Sequence, residues 1–121
     1  MSLIVRGKIW GSTSMLFEKN NVEIDRIEVK KGGYCSKHMH EHKFNMFFVE
    51  KGKLKVVIYR EDASSIIEDV TVLDAGCMTY VEPDLYHYFE GLEDTVAYEI
   101  YWVELNQNDI IRESVGGSQK I

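Results

Sequence analysis

Short runs of β-branched and aromatic residues, each closed by turn residues, recur along the chain at 3–10, 22–30, 53–60, 65–73, 77–81, 86–90 and 95–105. The clearest is 53–60, where Leu54, Val56 and Ile58 alternate with Lys53 and Lys55. A period of two with one apolar face marks a half-buried strand. Between the runs lie Asp74-Ala75-Gly76, Pro83-Asp84 and Gly91-Leu92-Glu93-Asp94, residues suited to turns. No long amphipathic helix interrupts the series; the helical signal is confined to 108–113, where Asn108 is placed to cap a turn or two. Many short strands in a small chain predict an all-β, antiparallel sandwich or barrel, and a closed barrel leaves no unpaired edge. One proline in the whole chain leaves nearly every amide free to donate in a sheet.

Length then limits this pattern to one domain: 121 residues enclose a single core. That domain covers 1–121, with a barrel core at about 20–105 and a loose tail at 114–121 containing Gly116-Gly117. Twenty acidic against 14 basic residues give a net charge of −6, and no dense basic cluster occurs, which argues against nucleic acid or an anionic membrane as partner. No apolar run reaches membrane-spanning length and the first residues do not read as a signal peptide, so a soluble, cytoplasmic protein is expected. Cys35 and Cys77 suit a disulfide, a metal pair or two unrelated thiols, the last being the default in a reducing compartment.

The chemistry is concentrated in the histidines. His38 and His40 are two apart, so a strand presents both imidazoles on one face, and His87 follows a turn, as a ligand from a neighbouring strand would. His42 fits the polar turn Glu41-His42-Lys43 and extends no ligand pattern. Asn45 is the expected fourth ligand, with a turn through 41–44 bringing it round to the histidines. Three imidazoles and an amide oxygen match a divalent transition ion, Zn, Ni, Mn or Fe. Asn45 brings no charge to offset the ion, so binding is expected to be weak without an anionic ligand.

This layout resembles the cupin superfamily, small antiparallel jelly-roll barrels. Their first motif is Gly, five residues, His-x-His, three or four residues, Glu, six residues, Gly. Gly32, His38, His40 and Gly52 match it, with Asn45 at the Glu position. The second is Gly, five residues, Pro-x-Gly, two residues, His, three residues, Asn. Gly76 and His87 match, while Glu82, Asp84 and Gly91 replace Pro, Gly and Asn.

Shorter segments resemble cupin domains related to type II mannose-6-phosphate isomerase and the C-terminal part of mannose-1-phosphate guanylyltransferases. They are Arg6-Gly7-Lys8-Ile9-Trp10-Gly11, the stretch around His38 to Lys43, and Asn108-Asp109-Ile110-Ile111-Arg112. The likeness implies a sugar phosphate or activated sugar as ligand and an isomerase-like reaction. Isomerisation needs a polarised carbonyl, a base and cations for phosphate. Glu82 or Glu99 would be the base, with Lys43, Lys37 and Arg112 for the phosphate. Tyr80 and Tyr98 belong to an aromatic set suited to lining a sugar pocket. A metal-dependent dioxygenase and a non-catalytic sensor that binds a sugar-like or anionic small molecule are the alternatives. Small cupins commonly pair through edge strands, so a homodimer formed through 3–10 is expected.

Overall fold

A computed structural model of the chain describes residues 3–104, together with Ile111, Gly116 and Ser118. The expected helical turn at 108–113, the candidate Arg112 and most of the 114–121 tail lie outside the described residues. Nine antiparallel strands form the described part: β1 Val5–Lys8, β2 Gly11–Lys19, β3 Val22–Val29, β4 Phe44–Lys51, β5 Lys53–Asp62, β6 Ser65–Asp74, β7 Met78–Val81, β8 His87–Gly91 and β9 Thr95–Trp102. The described residues contain no helix, and so none long and apolar enough to cross a membrane.

Two of these strands escape the period-two reading. In β4, Phe-Asn-Met-Phe-Phe-Val is nearly all apolar, so the burial alternation of Asn45, Phe47 and Val49 is invisible in the letters. Strand β2 mixes Ser, Thr and Met and carries an irregularity between Met15 and Phe17 that breaks its period.

The strands pair into a six-stranded sheet, β1-β2-β3-β9-β4-β7, facing a three-stranded sheet, β6-β5-β8. Between them lie Ile27, Phe47, Val49, Leu54, Val56, Ile58, Phe89 and Ala97, all at most 2% exposed. Trp10 seals one end, its ring edge-on to Phe89 at 5.0 Å between centroids. The expected closed barrel is corrected to a two-sheet sandwich: among the described residues no ladder runs from one sheet to the other. Side-chain packing holds the layers together instead. The free edge of β8 is covered by residues 32–38, through backbone bonds from Gly32 to Gly91, Cys35 to Phe89, and both ways between His38 and His87. Cys35 adds its thiol as acceptor for the Phe89 amide at 3.3 Å, and both cysteines are free.

Gly32, Gly52, Gly76 and Asp84, at glycine positions of the two motifs, all have a left-handed backbone, and two of them show what it serves. Gly52, between β4 and β5, has φ +94°, and a Cβ there would stand 2.3 Å from the Asp94 carbonyl oxygen. Asp84 occupies the glycine position of the second motif, yet its φ is +66°. Aspartate is among the few side chains that tolerate this region. Its amide donates to the His40 carbonyl at 2.8 Å, tying the turn to the histidine segment. Gly52→Ala is expected to cost about 2 kcal/mol or more in chemical denaturation, from strain and the carbonyl clash. Asp84→Gly should cost nothing measurable, whereas Asp84→Val should cost about 1–2 kcal/mol; equal stability of the two would contradict the turn assigned here.

Candidate metal centre

His38 and His87 form a ladder pair that exchanges two backbone hydrogen bonds, His38 N–H to His87 O at 3.0 Å and the reverse at 2.8 Å. Such a pair sets two side chains abreast on one face. Their ring centroids are 4.6 Å apart, and His40, two residues on, adds a third ring 5.1 Å from His38 and 5.5 Å from His87. One ring nitrogen from each histidine lies within 4.8 Å of the other two. The chain bends at Glu41 and His42 before β4 begins at Phe44, and Asn45 then approaches from the opposite sheet. The centre therefore spans both layers.

The hydrogen bonds fix which nitrogens are free. Nδ1 of His87 lies 2.9 Å from the Leu85 carbonyl oxygen and Nδ1 of His38 lies 2.6 Å from that of Ser36. A carbonyl only accepts, so each Nδ1 carries the proton and each Nε2 presents a lone pair. A backbone carbonyl holding the distal N–H is the usual support for a metal-bound imidazole. Nε2 of His40 is buried without a partner. Asn45, wholly buried, directs its amide nitrogen toward the Met46 carbonyl at 3.4 Å and its Oδ1 toward His87 Nε2 at 3.3 Å. Two lone pairs facing one another repel unless a cation lies between them. Ligands bound at about 2.1 Å to one ion are themselves separated by roughly 3–3.5 Å. The donor set thus fits a divalent transition ion.

Burial pushes the His87 imidazole down to about 4, with the neighbouring His38 and His40 acting in the same direction. It also lowers His40, helped by His38 and Lys43. Both are neutral at pH 7, the form a metal requires.

Behind the histidines, the inner face of the large sheet is polar. Tyr101 meets His40 edge-on at 5.3 Å and donates its hydroxyl to Glu99 at 3.0 Å. Glu99 is 7% exposed, and burial pushes its carboxyl up to about 7. Directly opposite it in the β3–β9 register is Asp25, raised to about 7 by burial, a hydrogen bond with Glu23 and the charges of Glu23 and Glu99. A cavity of about 400 Å³ opens onto Asp25 and Glu23 between Arg6, Thr13, Met15 and Leu16. Lys43 is exposed, its ammonium 5.3 Å from the Tyr101 ring centre.

The structure brings His38, His40, Asn45 and His87 together, with Glu99 and Lys43 on Tyr101 beside them. It does not bring in the rest. Lys37 lies 3.7 Å over the Tyr59 ring, with Tyr86 beyond at 5.8 Å, and away from the three imidazoles. Tyr80 stands on the outer face of the large sheet near Phe44 and Trp102, and Tyr98 donates to Glu50 on that same face. Glu82 is exposed in the turn before β8, and His42 is exposed beside Glu41. Sequence reasoning missed Asp25 as an interior group. The signal was available: Glu23 and Asp25 continue the period-two series of Ile27 and Val29 toward the inside.

The sequence profile of the cupin domain matches residues 25–104. No curated protein matches the chain. Among solved structures, it is similar to KdgF from Halomonas sp., with 12% identity and a TM-score of 0.68 over 87% of this chain and 90% of that one. An RmlC-like cupin from Shewanella frigidimarina matches at 19% identity and 0.68, covering 90% and 89%. Bacillus subtilis oxalate decarboxylase, studied for its Mn(II) centres, matches at 15% and 0.72, covering 88% of this chain but 29% of its own. The matched residues run from the interior carboxyl of β3 to just past the end of β9 and contain all four candidate ligands, and the chain belongs to the cupin domain family.

Proposed function

We propose that this cupin holds a divalent transition ion through His38, His40, His87 and Asn45 and uses it to bind a small oxygen-rich ligand of the sugar-phosphate class, with an isomerase-like reaction. The observation that carries this reading is the convergence of unpaired imidazole nitrogens with the inward Asn45 oxygen. When bound, the ion supplies Lewis acidity toward a hydroxyl or carbonyl oxygen. Glu99 is suited to move a proton, since its carboxyl sits near neutrality. Tyr101 positions it, and Lys43 offers a cation for a phosphate entering from outside. The two free thiols agree with a reducing, cytoplasmic setting. Manganese is the first ion to try, because the oxalate decarboxylase neighbour has Mn(II) centres.

A non-catalytic sensor is the second reading, favoured by one feature, Asn45 in place of a carboxylate. Three neutral imidazoles and an amide leave the ion's charge uncompensated. Elemental analysis of dialysed protein should show partial occupancy that rises with an added anion. His87→Ala should lose the metal, and Asn45→Glu should retain it at least tenfold more tightly; an Asn45→Glu protein no tighter than the parent would remove Asn45 from the ligand set.

Mannose 6-phosphate incubated with the Mn-loaded protein should convert to fructose 6-phosphate, and Glu99→Gln should slow this by about a hundredfold or more. No interconversion with Mn, Fe, Ni or Zn would leave the sensor reading.

Acid stability reports the interior carboxyl independently of turnover. The folded chain holds the Glu99 proton up to about pH 7, while the unfolded chain releases it near 4.5, so this group's contribution is lost as pH rises between those values. His87 acts oppositely: ordinarily near 6.5 and lowered to about 4, it contributes stability that is lost as pH falls through that window. Each amounts to about 3 kcal/mol. Asp25 and His40 titrate in both proteins, so the comparison isolates Glu99: between pH 4.5 and 6.5 metal-stripped Glu99→Gln should gain about 3 kcal/mol more stability than metal-stripped wild type in urea denaturation.

A further inference from the structure

The segment Lys8-Ile9-Trp10 takes no part in the metal centre, and the fold lays it beside the stretch that leads into the cover of β8. The Trp10 carbonyl accepts from the Lys30 amide at 2.9 Å, and the Lys30 carbonyl accepts from the Gly33 amide at 2.8 Å. Gly33 makes this approach possible: a Cβ there would stand 2.7 Å from the Trp10 carbonyl oxygen and 3.0 Å from that of Lys30. A hollow of about 670 Å³ results, bordered by Lys8, Trp10, Lys30, Lys31 and Tyr34. A second hollow of about 440 Å³ adjoins it, sharing Tyr34, Cys35 and Ser36 and continuing over Lys37, Tyr59 and Tyr88 to Glu90. Each has the size of a small-ligand site. The floor of the second is the outer face of the small sheet, because Val57 opposes Tyr88 and Lys55 opposes Glu90 while Leu54, Val56 and Ile58 face the core. Tyr34 borders both hollows and is 66% exposed, although its backbone is bridged to Glu90.

Charge in this cleft runs against that of the chain. The whole carries −6, yet Lys8, Lys30, Lys31 and Lys37 line the two hollows, and among the described residues none of them has a carboxylate within 4 Å. The nearby acids are engaged elsewhere: Glu90 by Lys55 at 3.8 Å, and Asp94 by the Lys31 amide at 2.9 Å. Lys37 is steadied by its ammonium lying 3.7 Å over the Tyr59 ring, which orders the charge before any ligand arrives. We propose that this cleft is a second ligand site, taking an acidic oligosaccharide whose rings lie on Trp10, Tyr34 and Tyr59 and whose carboxylates or sulfates meet the lysines. Tyrosine and tryptophan offer an apolar face with a wet polar edge, which suits a sugar ring. Two adjoining hollows with an aromatic ring at their shared border suit a chain of such rings. Neither hollow is lined by arginine, the side chain that grips phosphate through two bonds, and a nucleic-acid strand would run from the cleft onto acidic surface. Neither is lined by His38, His40 or His87, so binding here needs no ion.

Calorimetric titration of the full chain with trigalacturonate and with a heparin tetrasaccharide tests this, before and after metal stripping, and separates carboxylate from sulfate. At least one should bind saturably, equally well in both metal states, and about tenfold or more weakly when NaCl is raised from about 50 to 500 mM. Uncharged maltotriose should bind at least tenfold more weakly. Tyr34→Ala and Lys37→Ala should each weaken binding about fivefold or more with unchanged circular dichroism, while Lys19→Ala, at the far end of β2 from Gly11, should leave it unchanged. Should either cleft variant misfold, the contrast with maltotriose in the unmutated protein still decides. No saturable binding of either acid, equal affinity for maltotriose, loss of binding on metal stripping, tighter binding of oligothymidylate, or full affinity in both cleft variants would overturn the proposal.

Discussion

Lone pairs buried between two sheets have no water to satisfy them, and the arrangement of this cupin follows from how that constraint is met. The sandwich interior is apolar around Phe47, Leu54 and Phe89, but toward one end it turns polar, with Asn45, His87 and Glu99 almost fully enclosed. Each of these must find a partner, because an unpaired buried polar group costs on the order of 1–3 kcal/mol. Glu99 has the Tyr101 hydroxyl, and the distal nitrogen of His87 has the Leu85 carbonyl. What is left over, the inward nitrogens of His40 and His87 and the oxygen of Asn45, is the set an ion would satisfy at a single point.

The backbone makes that convergence possible before any side chain does. Reciprocal bonds between His38 and His87 set two candidate ligands abreast, and the Asp84 amide holds the carbonyl of the third. The fourth comes from the other sheet, so neither layer alone contains a site. Placing the centre across the layers also explains the pKa pattern. Burial moves the imidazoles downward and the carboxyls of Asp25 and Glu99 upward, and both kinds of group are neutralised by the same lack of water.

Much of this was legible from residue spacing. Strands with one wet face, such as β5, show their period in the letters, and the histidines announce themselves by a separation of two. Strand β4 did not, because both its faces are apolar, one turned to the core and one to the outside. That hidden alternation concealed the strand. The interior carboxyl Asp25 was overlooked because an acidic residue reads as solvated until its strand neighbours are known to be buried. The placement of Tyr80 and Tyr98 depends on which side of a strand faces in, and that of Lys37 on how the segment before His38 turns, neither of which their residue types encode. Asp84 illustrates the reverse case: the family's glycine is gone, but the backbone angle that glycine serves is retained.

Residues 32–38 carry one candidate ligand of the centre, lead directly to the next, and lie along the open edge of β8. The same few backbone bonds therefore close the site and hide a row of amides that could otherwise template another chain. Opening the centre is also opening a sheet edge. In this protein the candidate metal centre and the protection of a sheet edge rest on one segment, so a change that frees residues 32–38 disturbs both together.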